Sequence, residues 1–298
     1  MNSKLLFSIC ILLIVTNSYA KSFRITTYNI RNYDKDPRLS IETNKAELIK
    51  LIKNTKSDLI AVQEIVNTDD LKKLITKKLP YYQIKLSECG GSARQKLGFI
   101  YNKTRLKLVK FNEDLRLSIS GRCSSGGRPA AIGSFKIKDS GINFTAISVH
   151  LKAGGTQSSA DVRAKQYNIL SKITAELTGT GRKNVVILGD FNTTDYISEN
   201  QNYKRFIKFL EKNDFYDFSK NLDCTAYWWG GIEDDLWYGS ILDHILATRT
   251  FLENFNRETG KTGAHCHKVN CNISTSEELG ITFKEVSDHC PVTAQMDY

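Results

Sequence analysis

Short apolar runs of strand length alternate along this chain with stretches of helical periodicity, and that order constrains the fold more than any other feature. Phe23 to Ile30, Ser57 to Val62, Gly98 to Tyr101, Ala130 to Ile137, Ile142 to Val149 and Val185 to Leu188 are each bounded by turn residues, as strands are. Ser40 to Asn54 sets Ile41, Leu48, Ile49 and Ile52 on one helical face, and Ser159 to Leu177 does the same with Val162, Ile169, Leu170, Ile173 and Leu177, because residues three and four apart share a face. Tyr203 to Leu210 suggests another helix, and two last strands are expected at Ile241 to Ala247 and Pro291 to Met296. Helices with a single apolar stripe must cover a sheet, so the pattern calls for a layered α/β fold. No repeat or linker interrupts it, and residues 21 to 298 are expected to form a single domain. With 41% hydrophobic residues, 25% charged and 4 prolines among 298, composition excludes a disordered or collagen-like chain.

The first twenty residues follow another logic. Lys4 precedes the apolar run Leu5 to Val15, and Ser18-Tyr19-Ala20 has the small-x-small form of a cleavage site. This is the pattern of a secretory signal peptide over residues 1 to 20, and the run is too short to span a bilayer. The expected destination is outside the cytoplasm, extracellular or periplasmic. Without Cys10, six cysteines remain (Cys89, Cys123, Cys224, Cys266, Cys271, Cys290), an even number that in an exported chain suggests disulfides. Cys266 and Cys271 are close enough in sequence to clip a local loop, and a zinc site using His265 and His267 is the competing reading, which export disfavours.

Charge is unevenly spread. The whole chain carries 42 Lys and Arg against 32 Asp and Glu, and removal of Lys4 with the leader leaves a net +9. Residues 89 to 138 alone hold eleven basic side chains against Glu113 and Asp114, which equals that entire excess. Such a segment suits a phosphate-rich polymer, although a solvated basic face has the same composition.

Polar residues interrupt the apolar pattern mostly at strand ends: Asn29, Gln63-Glu64, His150, Asp190 with Asn192, Asp243-His244 and Asp288-His289. Groups at strand ends can converge from distant parts of a chain while the sheet holds their backbone still. Singly, each is a common cap or turn. In order, Thr27-Tyr28-Asn29-Ile30, Gln63-Glu64, Ser148-Val149-His150-Leu151, Gly189-Asp190-Phe191-Asn192, Leu242-Asp243-His244-Ile245 and Ser287-Asp288-His289-Cys290-Pro291-Val292 closely resemble the motif series of the deoxyribonuclease-I-like endonuclease/exonuclease/phosphatase superfamily, from residue 23 to 296. The resemblance implies a four-layer α-β-β-α sandwich and metal-assisted cleavage of a phosphate ester.

It also implies roles. Glu64 would bind a divalent cation, Mg²⁺ with Mn²⁺ as a substitute, and Asn29 and Asp288 would complete or support that site. His289 would be the general base, with Asp243 fixing its tautomer. Asp190 and Asn192 would face the scissile phosphate, and His150 would protonate the departing oxygen or stabilise the phosphate. Arg128 resembles the family's phosphate-contacting arginine, with Arg122 as competitor, and Gln95 stands nearest the acidic residue that in close relatives orients the acid histidine. Lys152 would add a cation beside the reacting phosphate.

The resemblance leaves the substrate open among nucleic acid, phospholipid and inositol phosphates. The basic segment favours nucleic acid, DNA above all, cut by a secreted, monomeric enzyme. Tyr227-Trp228-Trp229 with Trp237-Tyr238 provides the counter-argument, since aromatic residues at a rim insert into membrane interfaces as well as stack on bases. Glu233, Asp234 and Asp235 in the same loop oppose stable membrane insertion and offer a structural Ca²⁺ site as an alternative use. A non-catalytic relative that only binds is the third reading.

Overall fold

The computed structural model describes residues 22–36, 40–193, 200–231 and 234–298; the expected signal peptide and Glu233 lie outside them. Two six-stranded sheets carry the fold. The first runs in the order Arg257–Thr262, Val292–Asp297, Ser22–Tyr33, Leu59–Ile65, Lys96–Asn102 and Tyr82–Leu86. The second runs Phe215–Asp217, Asp243–Thr248, Val185–Asp190, Asn143–His150, Ala130–Ile137 and Leu106–Asp114.

The sheets face each other across one core in which Phe23, Ile25 and Phe99 of the first meet Phe135, Phe144, Val186 and Ile245 of the second. Alternation along each strand sends the other residues outward, where helices cover them. Leu48, Ile52, Leu71 and Ile75 of helices Lys45–Thr55 and Thr68–Lys78 pack on Tyr28, Ile60 and Val62. Tyr167, Leu170, Phe206 and Phe209 of helices Gln157–Gly179 and Gln201–Lys212 pack on Ile147, Ile187 and Phe191. The expected helix–sheet–sheet–helix layering is therefore present.

Helix starts are set by side-chain caps. The expected helix from Ser40 begins only at Lys45, because Asn44 accepts a hydrogen bond from the Glu47 amide and Ile41–Glu42 pairs with Lys35–Asp36 as a short ribbon. Thr156 caps Gln157–Gly179 in the same way through the Ser159 amide. Among the described residues, no helix is long and apolar enough to cross a membrane.

The six cysteines among the described residues are all paired, as Cys89–Cys123, Cys224–Cys271 and Cys266–Cys290. The local Cys266–Cys271 clip is thus corrected: each of these residues bonds instead to a cysteine from a distant segment. The zinc reading goes with it, because Cys266 and Cys290, which lie beside His265, are joined to each other and offer no thiolate.

The basic segment also requires correction. Strands Leu106–Asp114 and Ala130–Ile137 form an antiparallel pair in which Lys107 lies opposite Lys136, while Ala131 sits opposite Ser148 near the other end. Lys136 is five residues from Ala131, about 17 Å along the strand. Lys103, Arg105, Lys107, Lys136 and Lys138 therefore sit far from the end that carries His150. Arg105 pairs with Asp58 and Asp139, and Arg116 with Asp114 and Glu176, so part of the positive charge is neutralised locally.

Candidate active site

Three expected residues line up across one edge of the second sheet. Asp190 pairs in register with His150 on one side and Asp243 on the other. His150 and Asp190 close their strands, whereas Asp243 opens an antiparallel one; reversal of direction brings a strand's first residue to the same edge. Gly189 allows this close approach, since a Cβ there would lie 2.0 Å from the Val149 carbonyl oxygen.

The first sheet supplies Asn29 and Glu64 from adjacent central strands. Both strands lose register at this end, between Asn29 and Tyr33 and between Val62 and Ile65. Glu64 adopts φ 61 and Asn32 φ 48, left-handed conformations that cost non-glycine residues about 1–3 kcal/mol and concentrate at functional sites. The irregularity re-aims both side chains. Asn32 N–H donates to Glu64 Oε2 at 2.9 Å, and Asn29 Nδ2 donates to Glu64 Oε1 at 3.2 Å.

Asp190 Oδ2 is the hub. It accepts from Asn29 Nδ2 at 3.0 Å and lies 3.3 Å from His150 Nε2 and 3.7 Å from His289 Nε2. His289 Nδ1 sits 2.8 Å from Asp243 Oδ2, so Nδ1 carries the proton and Nε2 is turned toward Asp190. The Ser287 hydroxyl donates to the Asn29 carbonyl at 2.7 Å and accepts from the His289 amide at 3.0 Å, linking the two segments. Asn192, at φ 50, donates its amide N–H to Asp190 Oδ1 and its side-chain Nδ2 to the Leu151 carbonyl.

The electrostatics of these buried groups diverge. Burial alone would depress the His289 pKa, but the carboxylates of Asp243 and Asp190 and the hydrogen bond to Asp243 outweigh it and hold the ring well above its ordinary value. His150 goes the other way: burial, then the Arg128 and His289 cations, holds it well below. Burial raises Asp190 to about 7, against the pull of His289. Arg128 is lowered by burial despite facing the charges of Glu64 and Asp190.

The oxygen donors suit a hard divalent cation, because the Glu64 and Asp190 carboxylates converge on a single amide nitrogen. Asn29 turns its Oδ1 away to accept from the Arg31 amide at 3.0 Å, so here it supports the carboxylates through nitrogen. Asp288 is half-buried beside His289, and its backbone carbonyl accepts from Tyr227 N–H at 2.9 Å.

The structure separates other expected groups. Arg128 donates to the Leu151 carbonyl at 3.2 Å, next to His150, whereas Arg122 is exposed; of the two, Arg128 is at the site. Lys152 is exposed at its rim. Gln95 does not orient His150: its amide donates to Asn32 Oδ1 at 2.8 Å, and His150 Nδ1 has no partner among the described residues. Of the aromatic cluster, Tyr227 is buried and Trp237 packs edge-on against Phe283, which leaves Trp228 and Trp229 as the exposed members. Asp235 is held by Ser276 and Trp237, and Asp234 caps the Leu236 amide, so these two carboxylates are used within the loop.

The structure gives several further residues supporting roles that the sequence does not assign. Thr27, Gln63 and Ser148 form a buried ladder, with Thr27 donating to Gln63 and Gln63 to Ser148, that ties the sheets together below the site; the signal was a polar residue inside each apolar run. Buried Arg163 donates to the carbonyls of Lys152 and Gly154 and fixes the turn after His150. His244 Nε2 donates to the Thr193 carbonyl at 2.7 Å, with Nδ1 2.8 Å from Asp217 Oδ2, anchoring the loop that carries Asn192.

Known proteins share this architecture. The model of the Endonuclease/Exonuclease/phosphatase family matches residues 26–289. No curated protein sequence matches the chain. An endonuclease/exonuclease/phosphatase family protein of Bacteroides thetaiotaomicron superposes with a TM-score of 0.64 at 18% identity, covering 94% of this chain and 96% of its own. A mannosyl-6-phosphatase of the same organism gives 0.63 at 19%, covering 93% and 100%. The human Nocturnin catalytic domain with a bound sulfate anion gives 0.64 at 15%, covering 92% and 94%. These likenesses extend to the fold, and the family match spans nearly all the described residues. The chain belongs to the endonuclease/exonuclease/phosphatase family, whose members hydrolyse phosphoester bonds and generally depend on a divalent metal, typically Mg²⁺.

Proposed function

We infer that this chain is a secreted, Mg²⁺-dependent nuclease that hydrolyses phosphodiester bonds of DNA. The observation that carries the reading is the buried row of His150, Asp190 and Asp243, with His289 2.8 Å from Asp243 and Glu64 3.8 Å from His150. His289 Nε2 takes the proton of the attacking water, and Asp243 stabilises the imidazolium that results. A cation held by Glu64, with Asn29 and Asp288 in support, would supply charge neutralisation at the phosphate.

Asp190 Oδ2 lies between the two imidazoles, 3.3 Å from His150 Nε2 and 3.7 Å from His289 Nε2. Asn192 and Arg128 both donate to the Leu151 carbonyl, so amide and guanidinium sit together where a phosphate oxygen would gain charge. With its pKa held down, His150 is neutral and serves the departing oxygen chiefly as a hydrogen-bond donor through Nε2. Three disulfides support export, and the whole of residues 21 to 298 is taken as one catalytic unit acting as a monomer.

A DNA-containing gel tests the assignment. Clearing by the wild type that is lost with chelator and with His289→Ala supports it. The exposed indoles of Trp228 and Trp229 favour one second reading, a phospholipid phosphodiesterase. Release of phosphocholine from sphingomyelin without DNA clearing would establish that branch instead.

A further inference from the structure

Next to the His150–Asp190 row opens a cavity of about 470 Å³ that extends beyond the phosphate-binding groups Arg128 and Lys152. Leu151 and Lys152, which follow His150 directly, form one wall. Val162 and Ile119 add apolar surface, Arg128 a second cation, and three serines and Gln166 further polar groups. Its lining is thus mainly apolar with two cations, Arg128 and Lys152.

Two independent features mark it as more than a surface dent. Ile119 adopts φ 68 with 42% of its surface exposed. A β-branched side chain in the left-handed region is a genuine outlier, and such outliers persist where the surroundings over-determine them. Arg128 Nε is buried without a hydrogen-bond partner among the described residues, and a buried guanidinium donor left unused requires an acceptor. The walls are also preformed. The Cys89–Cys123 disulfide ties their loops together, Gly127 N–H donates to the Ser118 carbonyl at 3.0 Å, and Gln166 bridges the Lys152 amide and the Leu117 carbonyl.

We propose that this cavity holds the sugar and base of the nucleotide adjoining the scissile phosphate, and that the enzyme therefore prefers DNA whose bases are unpaired. The inference rests on the nuclease reading. Arg128 and Lys152 face the anionic backbone, while the aliphatic side chains of Ile119 and Val162 contact the face of the base. A base stacked and paired inside a duplex cannot enter a pocket of this kind without leaving its helix.

The test is cleavage of a labelled single-stranded oligonucleotide with one scissile site, in which each nucleotide around that site is replaced in turn by an abasic analogue. Wild type should lose about tenfold or more in kcat/KM at one position on one side of the cut, as expected for a lost base contact. Val162→Trp, which fills the cavity, should erase that dependence. Circular dichroism confirms that the variant is folded, and the wild-type scan is decisive whether or not it folds. Equal cleavage of all abasic substrates by wild type overturns the pocket and leaves the nuclease reading standing, as does a dependence that survives in folded Val162→Trp. No cleavage of any oligonucleotide, with turnover of a sugar phosphate or sphingomyelin instead, overturns both.

Discussion

Nδ1 of His289 lies 2.8 Å from Oδ2 of Asp243, a carboxylate wholly removed from solvent. That contact fixes which ring nitrogen faces Asp190 and lifts the affinity of the ring for a proton above what burial alone would allow.

His289→Ala and Asp243→Asn should each lower kcat by about 10²–10⁴-fold, the range expected for loss of a positioned base, with DNA affinity little changed in fluorescence anisotropy. The base acts when neutral, so activity rises as pH climbs through its pKa. Removing the Asp243 charge lowers that pKa and should move the acidic limb of the kcat/KM profile to lower pH in Asp243→Asn. Wild-type turnover in either variant would refute the base assignment.

Glu64→Gln should raise the Mg²⁺ concentration needed for half-maximal activity by about tenfold or more, because one anionic oxygen ligand is lost. Calorimetric titration of Mg²⁺ into the inactive His289→Ala protein reads the same site without turnover. Unchanged Mg²⁺ affinity in a Glu64→Gln, His289→Ala double variant would contradict the placement of the cation.

Antiparallel pairing puts Lys107 and Lys136 at the end of the sheet remote from His150. Replacing both with Gln should leave the salt dependence of DNA binding unchanged. Lys152→Gln, at the rim of the site, should weaken binding across sequences and reduce the slope of log K against log salt by about one. The reverse pattern would show that the polymer lies across the far end.

His265 is buried beneath the site, and burial pushes its imidazole down to about 4 from 6.5 despite the nearby charge of Asp288. The unfolded chain therefore takes up this proton first as pH falls. The contribution is intact above pH 6.5 and is lost progressively towards pH 4, by about 3 kcal/mol at about 1.4 kcal/mol per pKa unit. Urea unfolding at pH 7 and pH 4.5 should show a smaller pH-dependent loss in His265→Phe than in wild type. Equal losses would mean that His265 is not the group responsible.

Cys266–Cys290 closes a segment of 24 residues beside His289. Loop-closure entropy assigns it about 3 kcal/mol. Cys266→Ala, Cys290→Ala should lower the urea midpoint accordingly, and a change of a few tenths of a kcal/mol would show that the segment is held by packing alone.

The sequence exposed elements that have strong apolar faces. The strand expected at Ala130 to Ile137 has those bounds, and the helix expected at Tyr203 to Leu210 extends two residues further at each end, as Gln201–Lys212. Helix Thr68–Lys78 is not legible in the sequence, since Leu71 and Ile75 are its buried residues amid charged neighbours. Edge strand Leu106–Asp114 is equally hidden, because exposed Lys107 and Lys110 break its pattern. Candidate site residues were legible where polar groups interrupted apolar runs, as at Asp190 and His150. What was not legible depends on pairing between distant segments. Nothing in the spacing says that Cys266 meets Cys290, or that the Gln95 amide turns to Asn32 and away from His150. The hairpin of Leu106–Asp114 with Ala130–Ile137 folds the basic segment end over end, so a charge run continuous in sequence is divided in space.

Product analysis on one DNA sequence, offered single- and double-stranded with Mg²⁺ and again after chelation, tests the central claim most directly. The account predicts phosphodiester fragments with the metal, faster from the single strand, and intact DNA without it. Intact DNA in every lane, from a protein that releases inorganic phosphate from a sugar phosphate or phosphocholine from sphingomyelin, would contradict it.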